Sequence, residues 1–345
     1  MSTEQTDFAR KGQFLDNSKL VAELTWLGTR QPGITYPAAG RPLSVNEMKD
    51  AVVRLFAEAN RANLDVFHEL LSPDFISYGG AGFQDLNGPE LFKQLYLQYL
   101  QGLEGLAFNV THIVVDGDIA GVRGVLSGNH TGNFMGFAPP TGRHVCWTGT
   151  ALMRFNRAGM IDARWQEWDG LSIMQQLGVV PGMPSFDAGR PDPLAPQVVS
   201  GAYISPSDNK AAFKQMVDEL WNKGNLAFAE KVIHPEAVLV SHPELPAGPQ
   251  GLQAFVGMLR GAMPDLRTDM TMLLADGDLV LGWFSQTGTQ TGALMTVPPS
   301  GKKATWGQII IARFAGGKII QAWTNEDMLG LMGQLGVGGG QSAAA

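Results

Sequence analysis

The chain repeats itself. Asp116-Gly117-Asp118 returns as Asp276-Gly277-Asp278, and Gly88-Pro89 returns at the same spacing as Gly248-Pro249. Gly128, Thr131, Gly132 and Met135 return as Gly288, Thr291, Gly292 and Met295. After one single-residue slip, Pro139, Pro140, Gly142, Trp147, Arg154 and Phe155 match Pro298, Pro299, Gly301, Trp306, Arg313 and Phe314. After a second slip, Ile161, Trp165, Asp169 and Gln176-Leu177-Gly178 match Ile319, Trp323, Asp327 and Gln334-Leu335-Gly336. Both slips fall in turn-rich stretches, where length changes are tolerated. An ordered series of this kind marks a tandem duplication of one domain of roughly 130 residues.

The boundaries follow from the repeat. Residues 44–180 form the first domain and 207–337 the second. Residues 1–43 have no counterpart in the second copy; Asn17 or Ser18 could cap a short helix there. Residues 181–206 carry six prolines and read as a semi-extended linker. Residues 338–345 are a low-complexity tail.

Each copy begins helical and ends in strands. Ser44 and Glu47 form a capping box before a helix whose Met48, Val52, Leu55, Phe56 and Ala59 fall at helical spacing. Phe213, Met216, Val217, Leu220 and Trp221 repeat that stripe. Short second helices are expected over 65–71 and 226–233, and third helices start at Pro89 and Pro249. In the first copy, strands are expected over 107–115, 119–128, 143–155 and 160–167, with Asp-Gly and Ala-Gly turns between. Helices followed by an antiparallel meander make an α+β class. Much of the chain's high glycine content, 43 residues, is one set of turn and sheet glycines written twice.

Composition narrows the function. The net charge of −7 argues against a nucleic-acid partner, which calls for a basic surface. Cys146 is the one cysteine, so no intrachain disulfide and no cysteine metal cluster is expected. The sequence has no metal-binding histidine spacing, no phosphate-binding glycine turn and no nucleophile elbow. No apolar run is long enough to cross a bilayer, and the N-terminus does not read as a signal peptide, so a cytoplasmic protein without membrane contact is expected.

Each copy resembles the SnoaL-like polyketide cyclase group of the nuclear-transport-factor-2-like superfamily. The resemblance rests on Gly128-Asn129-His130-Thr131-Gly132, the turn Pro139-Pro140-Thr141-Gly142, the strand end Met153-Arg154-Phe155, and Ile161…Trp165…Asp169…Gln176-Leu177-Gly178. It implies two tandem cones, each of about three helices packed on a strongly curved antiparallel sheet around an apolar cavity. It further implies no metal or organic cofactor, and a buried aspartate that moves protons in an aldol-type step. That aspartate directly follows the tryptophan of the last strand, where this chain has Gln166 and Thr324. Single-domain relatives pair through their sheets, so an intrachain pseudo-dimer, and a homodimer beyond it, are further expectations.

With the aspartate replaced in both copies, other groups come into question. His130 is either a pocket base or a histidine that satisfies neighbouring backbone; its counterpart is Gln290. Tyr78 lies where the family often places a pocket histidine, as a proton donor or as packing. Arg123 either stabilises an oxyanion or is solvated. These three are the catalytic candidates. His112, Phe134, Trp147, Gln166, Trp168, Trp306 and Glu326 are candidate substrate contacts. Strand alternation puts Gln166 and Trp168 on one face and Glu167 on the other. Glu326 takes the place of Trp168 in the second copy, and Asp169 reads as a helix N-cap. The expected function is a cofactor-independent acid/base enzyme on a hydrophobic, aromatic small molecule: a carbon–carbon lyase or cyclase, dehydratase or isomerase. A non-catalytic binding protein for such a ligand is the alternative. The first copy is expected to be the active one, because Val240, Trp283, Gln290 and Met272 replace its Tyr78, Arg123, His130 and His112.

Overall fold

A computed structural model describes residues 40–79, 84–180 and 204–337. The expectations for 1–39, 181–203 and 338–345 lie outside the described residues. The described residues divide into two compact units, 40–180 and 204–337.

In the first unit, α1 (Val45–Asn60) opens on the Ser44/Glu47 capping box and buries the stripe Met48, Val52, Leu55, Phe56 and Ala59. The short α2 (Val66–Leu70) leads into β1 (Leu71–Ser77). After β2 (Leu86–Asn87), Gly88 at φ +87° admits the chain to α3 (Pro89–Gly102), with proline in its first turn. The strands β3 (Leu103–Asp116), β4 (Ile119–His130), β5 (His144–Phe155) and β6 (Ile161–Trp168) form the meander, and α4 (Gly170–Leu177) closes the unit. The sheet order is β2-β1-β6-β5-β4-β3.

The second unit repeats the plan. α5 (Pro206–Val217) runs on through a wide turn over Asp218–Asn222. The expected second helix is a tight turn (Leu226–Phe228) followed by α6 (Ala229–Val232). Then come β7 (Ile233–Leu239), α7 (Pro249–Ala262), β8 (Arg267–Asp276), β9 (Leu279–Thr289), β10 (Lys303–Ala315), β11 (Lys318–Glu326) and α8 (Met328–Leu335). The sheet order is β7-β11-β10-β9-β8.

One expectation needs correcting. Neither sheet is wholly antiparallel, because β1 pairs parallel with β6 and β7 parallel with β11. The helix between β1 and the meander supplies the crossover that a parallel pair requires.

Several repeated residues now have physical causes. Asn60 ends α1 by clamping Phe108 through both main-chain groups, and Asn222 does the same to Thr268. Gln176 and Gln334 tie the last helix to β5 at Cys146 and to β10 at Thr305, again through both main-chain groups. Asp169 and Asp327 cap the helices they precede, accepting from Ser172 and Gly330 N–H. At Gly132 and Gly292 a Cβ would collide with the carbonyls of Gln101 and Gly261, since the strand end hydrogen-bonds the last turn of α3 or α7 there.

Candidate functional site

The pairing register fixes which side chains face the helices. In the first unit Gly149 opposes Trp168, Ala151 opposes Gln166 and Met153 opposes Arg164. Ala151 and Met153 belong to the core under α1 and α3, so Arg164, Gln166 and Trp168 form one inward row on β6. The helix α3 sends Phe92, Tyr96 and Tyr99 toward them, spaced one and two turns apart. Ring contacts run on from Tyr99 to Phe134 (5.5 Å), from Phe134 to Trp147 (5.8 Å), and from Trp147 to Trp168 (6.5 Å). Phe137 stacks on Trp168 at 6.4 Å. The inner side of the first sheet therefore carries a continuous run of aromatic rings in contact with one another.

Its charge comes from Arg164. The guanidinium lies 5.1 Å over the Phe92 ring, donates from Nη1 to Ser77 Oγ at 3.1 Å, and donates from Nη2 to Gln166 Oε1. Its Nε is buried with no hydrogen-bond partner among the described residues. Burial pushes it down to about 10. Burial also raises the Tyr99 phenol, against the pull of Arg164. The family's aspartate position is thus an inward amide held by a cation.

His130 is fully buried at the end of β4. Its Nδ1 accepts the Thr141 N–H at 3.2 Å and lies 3.0 Å from Thr141 Oγ1, which pins the Pro-Pro-Thr-Gly turn. Gln290 pins the equivalent turn through Val297, Pro298 and Ser300. Because Nδ1 accepts, the neutral ring carries its proton on Nε2, where it is a donor rather than a base. Burial lowers its pKa.

Three expected pocket residues sit on the opposite face. Arg123 pairs with Thr150, and Thr150 pairs with Glu167, all one position out of step with the inward row. A bulge between Val110 and His112 puts His112 opposite Arg123 on that outer face. Arg123 donates there to Thr111 Oγ1 at 3.1 Å. Tyr78 stacks on Trp165, 5.2 Å between centroids and 5° between planes, and Trp165 pairs with the outward Leu152. The first cone therefore loses Tyr78, Arg123 and His112 and gains Arg164 and Tyr99.

The second cone has different chemistry. Trp306 and Gln308 on β10 face inward, opposite Gln286 and Phe284 on β9, and Phe284 stacks on Phe213 of α5. Glu326 opposes Gln308 and ends β11 on the same face, buried. A chain of amides fixes it. Gln286 Nε2 donates to Gln308 Oε1 at 2.6 Å, and Gln308 Nε2 donates to Glu326 Oε1 at 2.8 Å. Trp306 Nε1 donates to the same oxygen at 3.4 Å. Gln286 Oε1 and the directly opposed Thr268 Oγ1 are buried without hydrogen-bond partners among the described residues. The next inward residue back along β11, Thr324, lines an apolar cavity with Phe213, Trp221, Phe255, Ile310 and His242. The buried indole Nε1 of Trp221 likewise has no hydrogen-bond partner among the described residues. Ala322 stands where the first cone has Arg164, so the cavity has no cation at that position.

Sequence reasoning missed Arg164 and the α3 aromatics. The signal was present: Arg164 is two residues before Gln166, and Phe92, Tyr96 and Tyr99 fall at helical spacing. Among the described residues no group of three or more His, Cys, Asp or Glu could hold a metal, and no helix is long and apolar enough to cross a membrane.

The family model for SnoaL-like polyketide cyclases matches residues 50–177 and again 211–335. The chain belongs to the SnoaL-like polyketide cyclase family. Among solved structures, TsrD from Streptomyces laurentii is similar at 25% identity over 39% of this chain and 98% of its own, with a TM-score of 0.37. A putative SnoaL-like polyketide cyclase from Jannaschia is similar at 25% identity over 45% of this chain and 100% of its own, with a TM-score of 0.36. The putative polyketide cyclase IdmH from Streptomyces antibioticus is similar at 28% identity over 38% of this chain and 98% of its own, with a TM-score of 0.34. No curated protein matches.

Proposed function

We propose that the chain is a cofactor-independent acid/base enzyme acting on a hydrophobic, aromatic small molecule, with Glu326 as its proton-transfer group. One observation carries the reading. Glu326 is a buried carboxylate on the inner wall of the second cone, oriented by Gln308 and Trp306, one inward position beyond the cavity-lining Thr324. A carboxylate held this way moves protons without first having to be oriented.

The reaction this supports is proton abstraction next to a carbonyl. The C–H bond breaks, its proton goes to a Glu326 oxygen, and the electron pair becomes an enolate. Returning the proton at another carbon is isomerisation; attack of the enolate on a second carbonyl of the same molecule is an aldol cyclisation. The Trp221 N–H and the Thr324 hydroxyl are donors for the enolate oxygen. The aromatic and aliphatic cavity wall suits an apolar substrate. The expected active copy thus moves from the first unit to the second.

The test is turnover of a panel of aromatic hydroxy-ketones and linear polyketide analogues. Glu326→Gln is expected to lower kcat by about 10²–10⁴ and Glu326→Asp to retain part of it. Full turnover by Glu326→Gln would overturn the assignment, and tight binding with no turnover by the wild type would favour a binding protein.

A further inference from the structure

We propose that the first cone is a separate ligand site that selects an anionic aromatic molecule, with Arg164 as the group that recognises its carboxylate or phenolate oxygen. Arg164 is a cation on the inward, aromatic-rich face of the first sheet, and among the described residues no carboxylate pairs with it. Its protein contacts are a serine hydroxyl, an amide oxygen and the face of Phe92. All three leave its full charge uncompensated, and its Nε–H has no acceptor among the described residues. A half-buried cation with no anionic partner and a fully covered, unpaired Nε–H is expensive, and structural stability alone does not call for one.

The neighbouring groups fit an anion bound to a ring system. Gln166 spends its Oε1 on Arg164, which leaves its Nε2 hydrogens to donate to a second ligand oxygen. The Tyr99 phenol, raised by burial, remains a hydrogen-bond donor at neutral pH. From Arg164 to Trp168 the inward row spans about 13 Å, four strand residues, which matches the length of a bicyclic aromatic acid. The rings of Tyr99, Phe134, Trp147 and Trp168 supply offset faces along that span.

Two contrasts sharpen the assignment. The second cone has Ala322 at this position and aliphatic Leu252, Val256 and Leu259 where α3 carries Phe92, Tyr96 and Tyr99, so the cation and the aromatic stripe changed together. The chain as a whole carries −7, so non-specific attraction of anions is disfavoured and a bound anion must answer to a local cation.

Isothermal titration of the full-length protein with 2-naphthoate and with the neutral isostere 2-naphthamide tests this. The wild type is expected to bind the acid in preference to the amide. Arg164→Met is expected to weaken the acid by about 10- to 100-fold and leave the amide unchanged, with Arg164→Lys between them. Equal affinity for acid and amide in the wild type would overturn the proposal. So would an Arg164→Met protein that keeps the preference for the acid. Far-ultraviolet circular dichroism of each variant separates a lost site from a lost fold.

Discussion

Replacing Arg164 by methionine should weaken anion binding while leaving stability nearly where it was. A guanidinium held at about 10 in place of its ordinary 12.5 costs the folded state about 3 kcal/mol at neutral pH. Against that cost stand the hydrogen bonds to Ser77 and Gln166, worth about 1 kcal/mol each, and the contact with the Phe92 face, worth about 1 kcal/mol. These oppose one another almost evenly. Methionine has similar length and packs against aromatic rings, so the variant should fall within about 1 kcal/mol of the wild type, or above it. Urea denaturation followed by tryptophan fluorescence measures this, with the slope required to stay constant so that the midpoint reports stability. A loss of more than about 2 kcal/mol would refute the reasoning, since it would make Arg164 a structural keystone rather than a charge kept for a ligand.

Three further outcomes follow from the same structure. Gly132→Ala should cost at least about 3 kcal/mol in urea denaturation, because its Cβ meets the Gln101 carbonyl and would break the hydrogen bonds from Thr131 and Gly132 to Gly102. Met295→Gly should raise stability by about 1 kcal/mol by the same measurement, since Met295 is 43% exposed and sits at φ +50°, where a side chain is strained. His130 is buried neutral with a lowered pKa, so its contribution is fully present above the unfolded value of about 6.5 and is lost as pH falls through the folded value. His130→Gln, which copies the Gln290 arrangement of the second cone, should keep the fold and flatten the fall in stability on the acid side of pH 6.5.

Much of the fold was legible because it was written twice. The core stripes of α1, and of α5 with the wide turn that continues it, are the residues that periodicity selects, and Asp169 and Asp327 cap their helices as their position before an apolar run suggests. The parallel pairing of β1 with β6 was not legible, since nothing local to Leu71–Ser77 names its partner. The site was legible only in part. Alternation counted two residues forward from Gln166 gives the right face for Trp168, and counted two residues back it gives the right face for Arg164. It does not reach Arg123 or His112, which lie on other strands whose faces depend on pairing register, and a bulge between Val110 and His112 resets the face of β3. Glu326 could be placed on the cone wall from the strand pattern. Its orientation by Gln308 and Gln286 depends on two other strands, which no single segment specifies.

The duplication thus produced two cones of one shape and opposite chemistry, a cation in the first and a carboxylate in the second. Solvent deuterium exchange at the α-carbon of an aromatic ketone such as 2-tetralone, followed by proton NMR, tests the second half most directly. Wild-type protein should catalyse the exchange, Glu326→Asp should retain part of it, and Glu326→Gln should lower the rate by about 10² or more. Exchange at the wild-type rate in a folded Glu326→Gln protein would contradict the account.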